Sequence, residues 1–225
     1  MSRILLVRHG QASFGAADYD QLSALGEEQS MVLGRALAAR GVRPDIVVAG
    51  HMRRHGQTAA GVLEGLSQGG SAESFVHRTD DGWNEFNHVQ VLEVHTPPEE
   101  GVEEKAGFQR WFELATLRWT SGSHDDDYDE SFATFTGRVR DSLDRLAAEL
   151  PRGGTAVVLT SGGPIAWVAA SLLADDPAQQ TSLWLRLNPV SVNTGVSTVI
   201  VGSRGTTLVT YNAHDHLSPE QLTYR

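Results

Sequence analysis

The chain has no cysteine. Disulfides, thiolate metal clusters and a cysteine nucleophile are excluded, and the composition fits a reducing compartment. Basic residues are scarce, with 18 Lys and Arg against 28 Asp and Glu and a formal charge of -10. Nucleic acid and anionic membrane surfaces both demand clustered positive charge, so neither is an expected partner, and any anion site must be local. Long apolar runs are missing too. The opening MSRILLVRHG breaks into Arg and His after a run too short for a signal peptide, and no later stretch is long enough to span a bilayer. A soluble, cytoplasmic protein is the expectation.

What is present is ordinary globular material: 225 residues, 40% of them hydrophobic, enough for one sizeable core. Ile4 to Val7 is a short apolar run ended abruptly by Arg8, His9 and Gly10, which predicts a buried strand and a loop. Ser23 is a candidate N-cap for a helix carrying Leu25, Val32, Leu33, Ala36 and Leu37 and stopping at Gly41. Ile46 to Ala49 predicts a second strand, followed after Gly50 by a helix through Leu66. Residues 67 to 130 are rich in Gly, Pro and acids, with a strand expected near Phe75 and Val76, and read as an irregular insertion. The alternation then resumes. Phe135, Val139, Leu143, Leu146 and Leu150 follow a helical period to Pro151, and Thr155 to Leu159 predicts a strand running into SGGP and a helix from Ile165. Val196 to Val201 and Thr206 to Tyr211 flank GSRG as a hairpin.

These elements predict an α/β fold: a three-layer sandwich, mostly parallel with one antiparallel strand and with helices on both faces. It is read as a single domain over 1–225, with an insertion or cap at about 67–130 covering the active site. Ligands in such sheets gather beyond the carboxyl ends of the strands, where RHG, GHMRRHGQT and SGGP fall. Arg8 offers a planar fork suited to phosphate oxygens, His9 a nitrogen nucleophile, and Gly10 room for a close ligand. Taken alone, the same three residues also fit a surface turn with a hydrogen-bonded histidine.

Several spaced motifs together resemble the histidine phosphatase superfamily, also called phosphoglycerate-mutase-like, from Ile4 to about Leu217. LLVRHGQ is similar to its nucleophile motif, and Asp20, Leu22, Ser23, Gly26 and Gln29 resemble the pattern opening its first helix. In GHMRRHGQTA the family's phosphate-binding arginine lies four residues before a threonine, which selects Arg54 through Thr58. WNEFNH resembles the segment holding the family's proton-transferring glutamate and points to Glu85. The resemblance implies catalytic His9, Glu85, Arg8 and Arg54, with phosphate bound by Arg8, Arg54, Ser161 and Gly162. No metal and no cofactor are expected.

The resemblance is broken at one central position. The family has a second histidine after its late strand, and here that residue is Ser161, which defines a subgroup with serine in its place. Gly50 stands where the family often has serine, and Gly15 where the mutases have asparagine. His51, His55, His88, His214 and His216 are all candidates for the space left at Ser161. The resemblance favours a phosphatase of small phosphomonoesters acting through a phosphohistidine on His9. The alternatives are a phosphoglycerate-mutase-type phosphotransferase and a degenerate protein that binds a phosphorylated ligand without turnover. A mutase needs extra basic residues after Glu85, where Lys105, Arg110 and Arg118 stand among many acids. Trp83, Phe86, Trp111, Phe112 and Trp119 either pack or line a specificity pocket; substrate and oligomeric state are open.

Overall fold

Runs of aliphatic residues set the strands in the computed structural model, which describes residues 1–13, 20–70, 75–97 and 105–224. In chain order the elements are β1 (Ser2–Arg8), α1 (Ala24–Ala39), β2 (Ile46–Ala49), α2 (Arg53–Gln68), β3 (Val76–Thr79), α3 (His88–Glu93), α4 (Lys105–Thr120), α5 (Phe132–Glu149), β4 (Thr155–Thr160), α6 (Gly162–Leu173), α7 (Pro177–Leu187), β5 (Val196–Gly202) and β6 (Gly205–Ala213). The six strands form one sheet in the order β3-β2-β4-β1-β5-β6. β3, β2, β4 and β1 are parallel, while β5 runs antiparallel to both β1 and β6. The α/β reading with one antiparallel strand therefore holds.

The chain divides into two compact units, Met1–Glu85 with Val139–Arg225, and Phe86–Arg138. In the first, the central strands β1, β2 and β4 are buried on both faces, as continuous apolar runs require. Leu5, Val7, Val47, Ala49, Val157 and Leu159 pack with Leu33 and Leu37 of α1 and Val62 and Leu66 of α2. The alternate residues Ile4, Leu6, Val48 and Val158 are equally buried and point to the other face, because side chains alternate along a strand. Ser23 caps α1 by accepting the Gly26 amide, and Gly41 takes φ +69 just past its end, so both sequence signals act as read.

The second unit is more regular than its composition suggested. Residues read as an irregular insertion contain the sixteen-residue helix α4. Its Trp119 is 1% exposed, stacks on Phe86 at 4.8 Å between ring centroids and meets Phe132 edge-on at 5.1 Å. Trp119 Nε1 donates to the Glu130 carbonyl at 2.8 Å, which satisfies its one polar group. Phe86 and Trp119 are thus core residues of this unit, and Trp83 is fully buried in the first. α2 continues to Gln68, and the strand expected near Phe75 and Val76 is β3, which pairs with β2 as an edge strand. Among the described residues, no helix is long and apolar enough to cross a membrane.

Candidate active site

Three neighbouring strands, β2, β4 and β1, deliver the three unusual motifs at their carboxyl ends. The β1–β4 ladder ends with Arg8 opposite Thr160, and the His9 amide extends it by donating to the Thr160 carbonyl at 2.8 Å. That register sets His9 beside Ser161, the residue after β4. The His9 carbonyl accepts from Asn193 Nδ2 at 3.0 Å and from the Thr194 amide, so the backbone of the residue is held by β4 and by the turn before β5. Its side chain is fixed too. His9 Nδ1 lies 2.7 Å from the Gly10 carbonyl and can only donate to it, which leaves the lone pair on Nε2.

His9 is 5% exposed. Burial first, then the charges of Arg54 and Arg8 and the nearby His55, hold its imidazole well below the ordinary histidine value, against a smaller upward push from the Gly10 carbonyl. The imidazole is therefore neutral at physiological pH, with its Nε2 lone pair free of a proton. Gly10 itself is required by space, since a Cβ there would lie 2.3 Å from the Gly26 carbonyl oxygen. The first turn of α1 therefore approaches the His9–Gly10 loop backbone to backbone.

Arg54 opens α2 almost fully buried, with Nη1 donating to Asp20 Oδ1 at 2.7 Å. Asp20 Oδ2 accepts the Arg53 amide at 2.8 Å, so one carboxylate holds both the helix start and the guanidinium. Thr58, one turn on, donates to the Arg54 carbonyl at 2.7 Å and accepts the Gly10 amide at 3.0 Å. The four-residue spacing seen in the sequence is thus a helical turn that joins the arginine to the histidine loop.

Arg8 stands differently. Strand alternation sets it on the face of Ile4 and Leu6, opposite that of Val7 and His9. Its Nη1 donates to the carbonyls of Ser191 and Tyr224, the latter at 3.0 Å. Arg8 so ties the end of β1 to the C-terminal segment, and its charge still acts on His9.

Glu85 follows a short 3-10 turn at Asp81–Trp83. Asp80 accepts the Gly82 amide, and Thr160 Oγ1 donates to the Trp83 carbonyl, so the turn is pinned to the end of β4. Glu85 Oε2 then accepts the Gly163 amide at 3.2 Å, a carboxylate at the N-terminus of α6. Gly162 begins that helix, and Ser161 is its N-cap residue without a side-chain capping bond. Gly15 lies outside the described residues.

The structure separates the five candidate histidines. His51 is exposed and bonds Asp81 and Thr79; His88 opens α3 in the second unit; His214 Nδ1 lies 2.7 Å from the Asn212 carbonyl. His216 Nε2 is 3.1 Å from Thr194 Oγ1. His55 alone meets Ser161, with Nε2 2.7 Å from its Oγ, and its ring centroid is 5.8 Å from that of His9. Thr194 escaped the sequence reading: a β-branched residue at φ 58, it donates its amide to the Arg8 carbonyl at 3.0 Å. Its only sequence signal is position, in an Asn-Thr-Gly turn before β5.

Among the described residues, no three His, Asp or Glu side chains converge as metal ligands. What converges is a neutral histidine with a directed lone pair, a buried guanidinium, a carboxylate, a serine hydroxyl and helix-start amides. That set suits an in-line attack on a phosphoryl group.

Comparison with known proteins identifies a family. Residues 4–214 match the family described as the histidine phosphatase superfamily, branch 1. A 2,3-bisphosphoglycerate-dependent phosphoglycerate mutase of Gloeothece citriformis is 28% identical over 117 residues, 47% of this chain and 50% of that protein. The alignment thus spans half the length of that relative. A phosphoserine phosphatase variant of Entamoeba histolytica, solved with phosphoserine, superposes with a TM-score of 0.67 at 19% identity, over 97% of this chain and 100% of that one. A mycobacterial glucosyl-3-phosphoglycerate phosphatase, solved with inorganic phosphate, gives a TM-score of 0.62 at 24% identity, over 96% and 99%.

Proposed function

The chain belongs to the histidine phosphatase superfamily, branch 1, and from that premise we propose that it hydrolyses a small phosphomonoester through a phosphohistidine on His9. The observation carrying this reading is the His9 imidazole, whose Nδ1 is committed to the Gly10 carbonyl while burial and two arginines keep the ring neutral. A nucleophile fixed in tautomer and orientation needs little reorganisation at the moment of attack.

In the first step His9 Nε2 forms a bond to phosphorus as the ester P–O bond breaks. Glu85, in its acid form, gives its proton to the departing oxygen. In the second step a water attacks the phosphohistidine, Glu85 takes the water's proton, and the P–N bond breaks to release inorganic phosphate. Arg54 and the charge of Arg8 offset negative charge on the equatorial oxygens, with Ser161 and the Gly162 amide as further donors. Fixed donors supply all of this, so the reaction is read as metal-independent.

Mutase chemistry would also need cations for a substrate carboxylate. Of the basic residues Lys105, Arg110 and Arg118 after Glu85, Arg118 is already bonded to Asp127 and, at 2.8 Å, to Tyr128 Oη. The scarcity of cations among many acids there, with this one committed, favours hydrolysis over transfer to a second substrate position. The deciding experiment is turnover of an aryl phosphate with alkaline-quench detection of phosphohistidine. Wild type should form the intermediate, His9→Ala should abolish it, vanadate should compete, and a chelator should change nothing. Near-wild-type turnover in His9→Ala, or a divalent ion restoring chelator-treated enzyme, would defeat the proposal.

A further inference from the structure

His55 is a fully buried histidine in an unusual setting. One neighbour has been trimmed to admit it: a Cβ on Gly50 would lie 2.3 Å from His55 Nδ1. The ring is 0% exposed, its Nε2 is 2.7 Å from Ser161 Oγ, and its Nδ1 has no hydrogen-bond partner. Gly50, His55 and Ser161 come from the end of β2, the start of α2 and the end of β4, and they meet at one point.

The bare Nδ1 decides the tautomer. A proton on Nδ1 would leave a buried N–H donor unpaired, which is rarer and more costly than an unpaired lone pair. The proton therefore sits on Nε2, and Nε2–H donates to Ser161 Oγ. With its oxygen already accepting, the Ser161 hydroxyl has its own proton left to give. It does not cap α6, and the strand register sets it beside His9.

We propose that His55 is a positioning residue that orients the Ser161 hydroxyl as a donor to a phosphoryl oxygen bound at His9, so that the pair does the work of one larger donor. The inference rests on the phosphohistidine reading above. His55 → Ser161 → phosphoryl oxygen is a chain of two hydrogen bonds in a dry site, where such chains polarise one another. No proton need cross it, since each group keeps its own. Burial first, and then the charge of Arg54, hold His55 well below the ordinary histidine value, so it stays a neutral donor through the physiological range. A histidine placed at 161 in this background would collide with His55, and Ser161 and His55 are in that sense alternatives for one space.

The test uses the full chain with three readouts: kcat and KM for an aryl phosphate, alkali-stable, acid-labile phosphoenzyme, and vanadate affinity by calorimetry. His55→Ala and Ser161→Ala should each lower kcat by about 10²-fold, the loss typical of one preorganised donor. The double variant should lose no more than either single one, because both changes break the same chain. His55→Gln, which keeps a donor near Nε2, should recover at least tenfold over His55→Ala. His55→Ala with Ser161→His should recover as much by moving the imidazole to the strand end, while Ser161→His alone should not.

Losses that multiply in the double variant, or His55→Ala turnover within twofold of wild type, would overturn the inference. A His55→Ala variant that failed to fold would leave His55→Gln and Ser161→Ala to decide, and a Gln variant no better than Ser161→Ala would count against it. Failure of the underlying reading looks different: wild type itself would form no phosphohistidine. Vanadate affinity still discriminates then, since an oriented hydroxyl predicts equal weakening in Ser161→Ala and His55→Ala, and unchanged affinity in either overturns it.

Discussion

The Gly10 amide donates to Thr58 Oγ1 at 3.0 Å, and this one bond joins the His9–Gly10 loop to the helix that carries both Arg54 and His55. Thr58 is 0% exposed and passes its own proton to the Arg54 carbonyl at 2.7 Å. Thr58→Val keeps the volume but leaves a buried N–H unpaired and the carbonyl short of a partner. An unsatisfied buried group costs about 1–3 kcal/mol, so urea unfolding should show a loss of that order, with kcat falling as well. Thr58→Ser restores the hydroxyl and should recover both.

Stability should fall as the medium turns mildly acidic. His9 and His55 are held well below 6.5 and His216 is lowered to about 4, each chiefly by burial. Between those folded values and 6.5 the unfolded chain binds more protons than the folded one, so stability rises with pH through that window and is complete above it. Each histidine contributes at most about 1.4 kcal/mol per pH unit, and three together about 4. The depressed carboxyl of Asp80 acts only below its ordinary 3.8 and does not cancel this. Denaturant midpoints at pH 7.5 and 5 should show the drop, and His216→Asn should make it shallower; a flat profile would contradict the buried neutral histidines.

The part of this that was legible in the sequence is the part carried by local pattern. β1, β2 and β4 announced themselves as short aliphatic runs, and the hairpin by Gly202 to Gly205, because both depend only on neighbours in the chain. Arg54 was legible because a helical turn fixes its distance to Thr58. β3 was only faintly visible: as an edge strand, it leaves Val76 54% exposed. α4 was hidden because Trp111, Leu114, Leu117 and Trp119 do not repeat on one face, and Leu114 and Leu117 remain exposed. His55 could be named but not chosen, since its burial follows from a missing side chain at Gly50 and a strand end 106 residues on. Arg8 was read as a phosphate fork, yet its Nη1 partners, Ser191 and Tyr224, are set by tertiary packing no spacing reveals.

Asp20 should restrain anion affinity. Its carboxylate bonds Arg54 Nη1 at 2.7 Å and is partly exposed, so it both aims the guanidinium and opposes an incoming phosphate. Asp20→Asn keeps an oxygen acceptor and removes the charge. Coupling across a partly exposed pair is on the order of 0.2–1 kcal/mol, which predicts vanadate binding tighter by roughly two- to fivefold, more at low salt. Asp20→Ala loses the aim as well and should lower kcat. Calorimetric titration with vanadate checks both, and weaker binding in Asp20→Asn would show that aiming outweighs repulsion.

Glu85 is held by three separate supports: the Asp80 turn, the Thr160 bond to the Trp83 carbonyl, and the Gly163 amide at 3.2 Å from Oε2. Glu85→Gln keeps the shape and an acceptor for that amide, so fold and vanadate affinity should persist while the transferable proton is gone. Alkyl phosphates leave as poor alkoxides and depend on a proton in the transition state, whereas an activated aryl phosphate leaves largely unaided. General acid catalysis is worth about 10²–10⁴-fold, and Glu85→Gln should therefore depress alkyl ester turnover by that order and phosphoenzyme formation from the aryl ester far less. Rapid-quench measurement of the phosphorylation step isolates this from the later hydrolysis, where the proposed role of Glu85 is that of base for water. Equal loss for both esters in that first step would remove Glu85 from the role of leaving-group acid and return the assignment to the groups around Ser161.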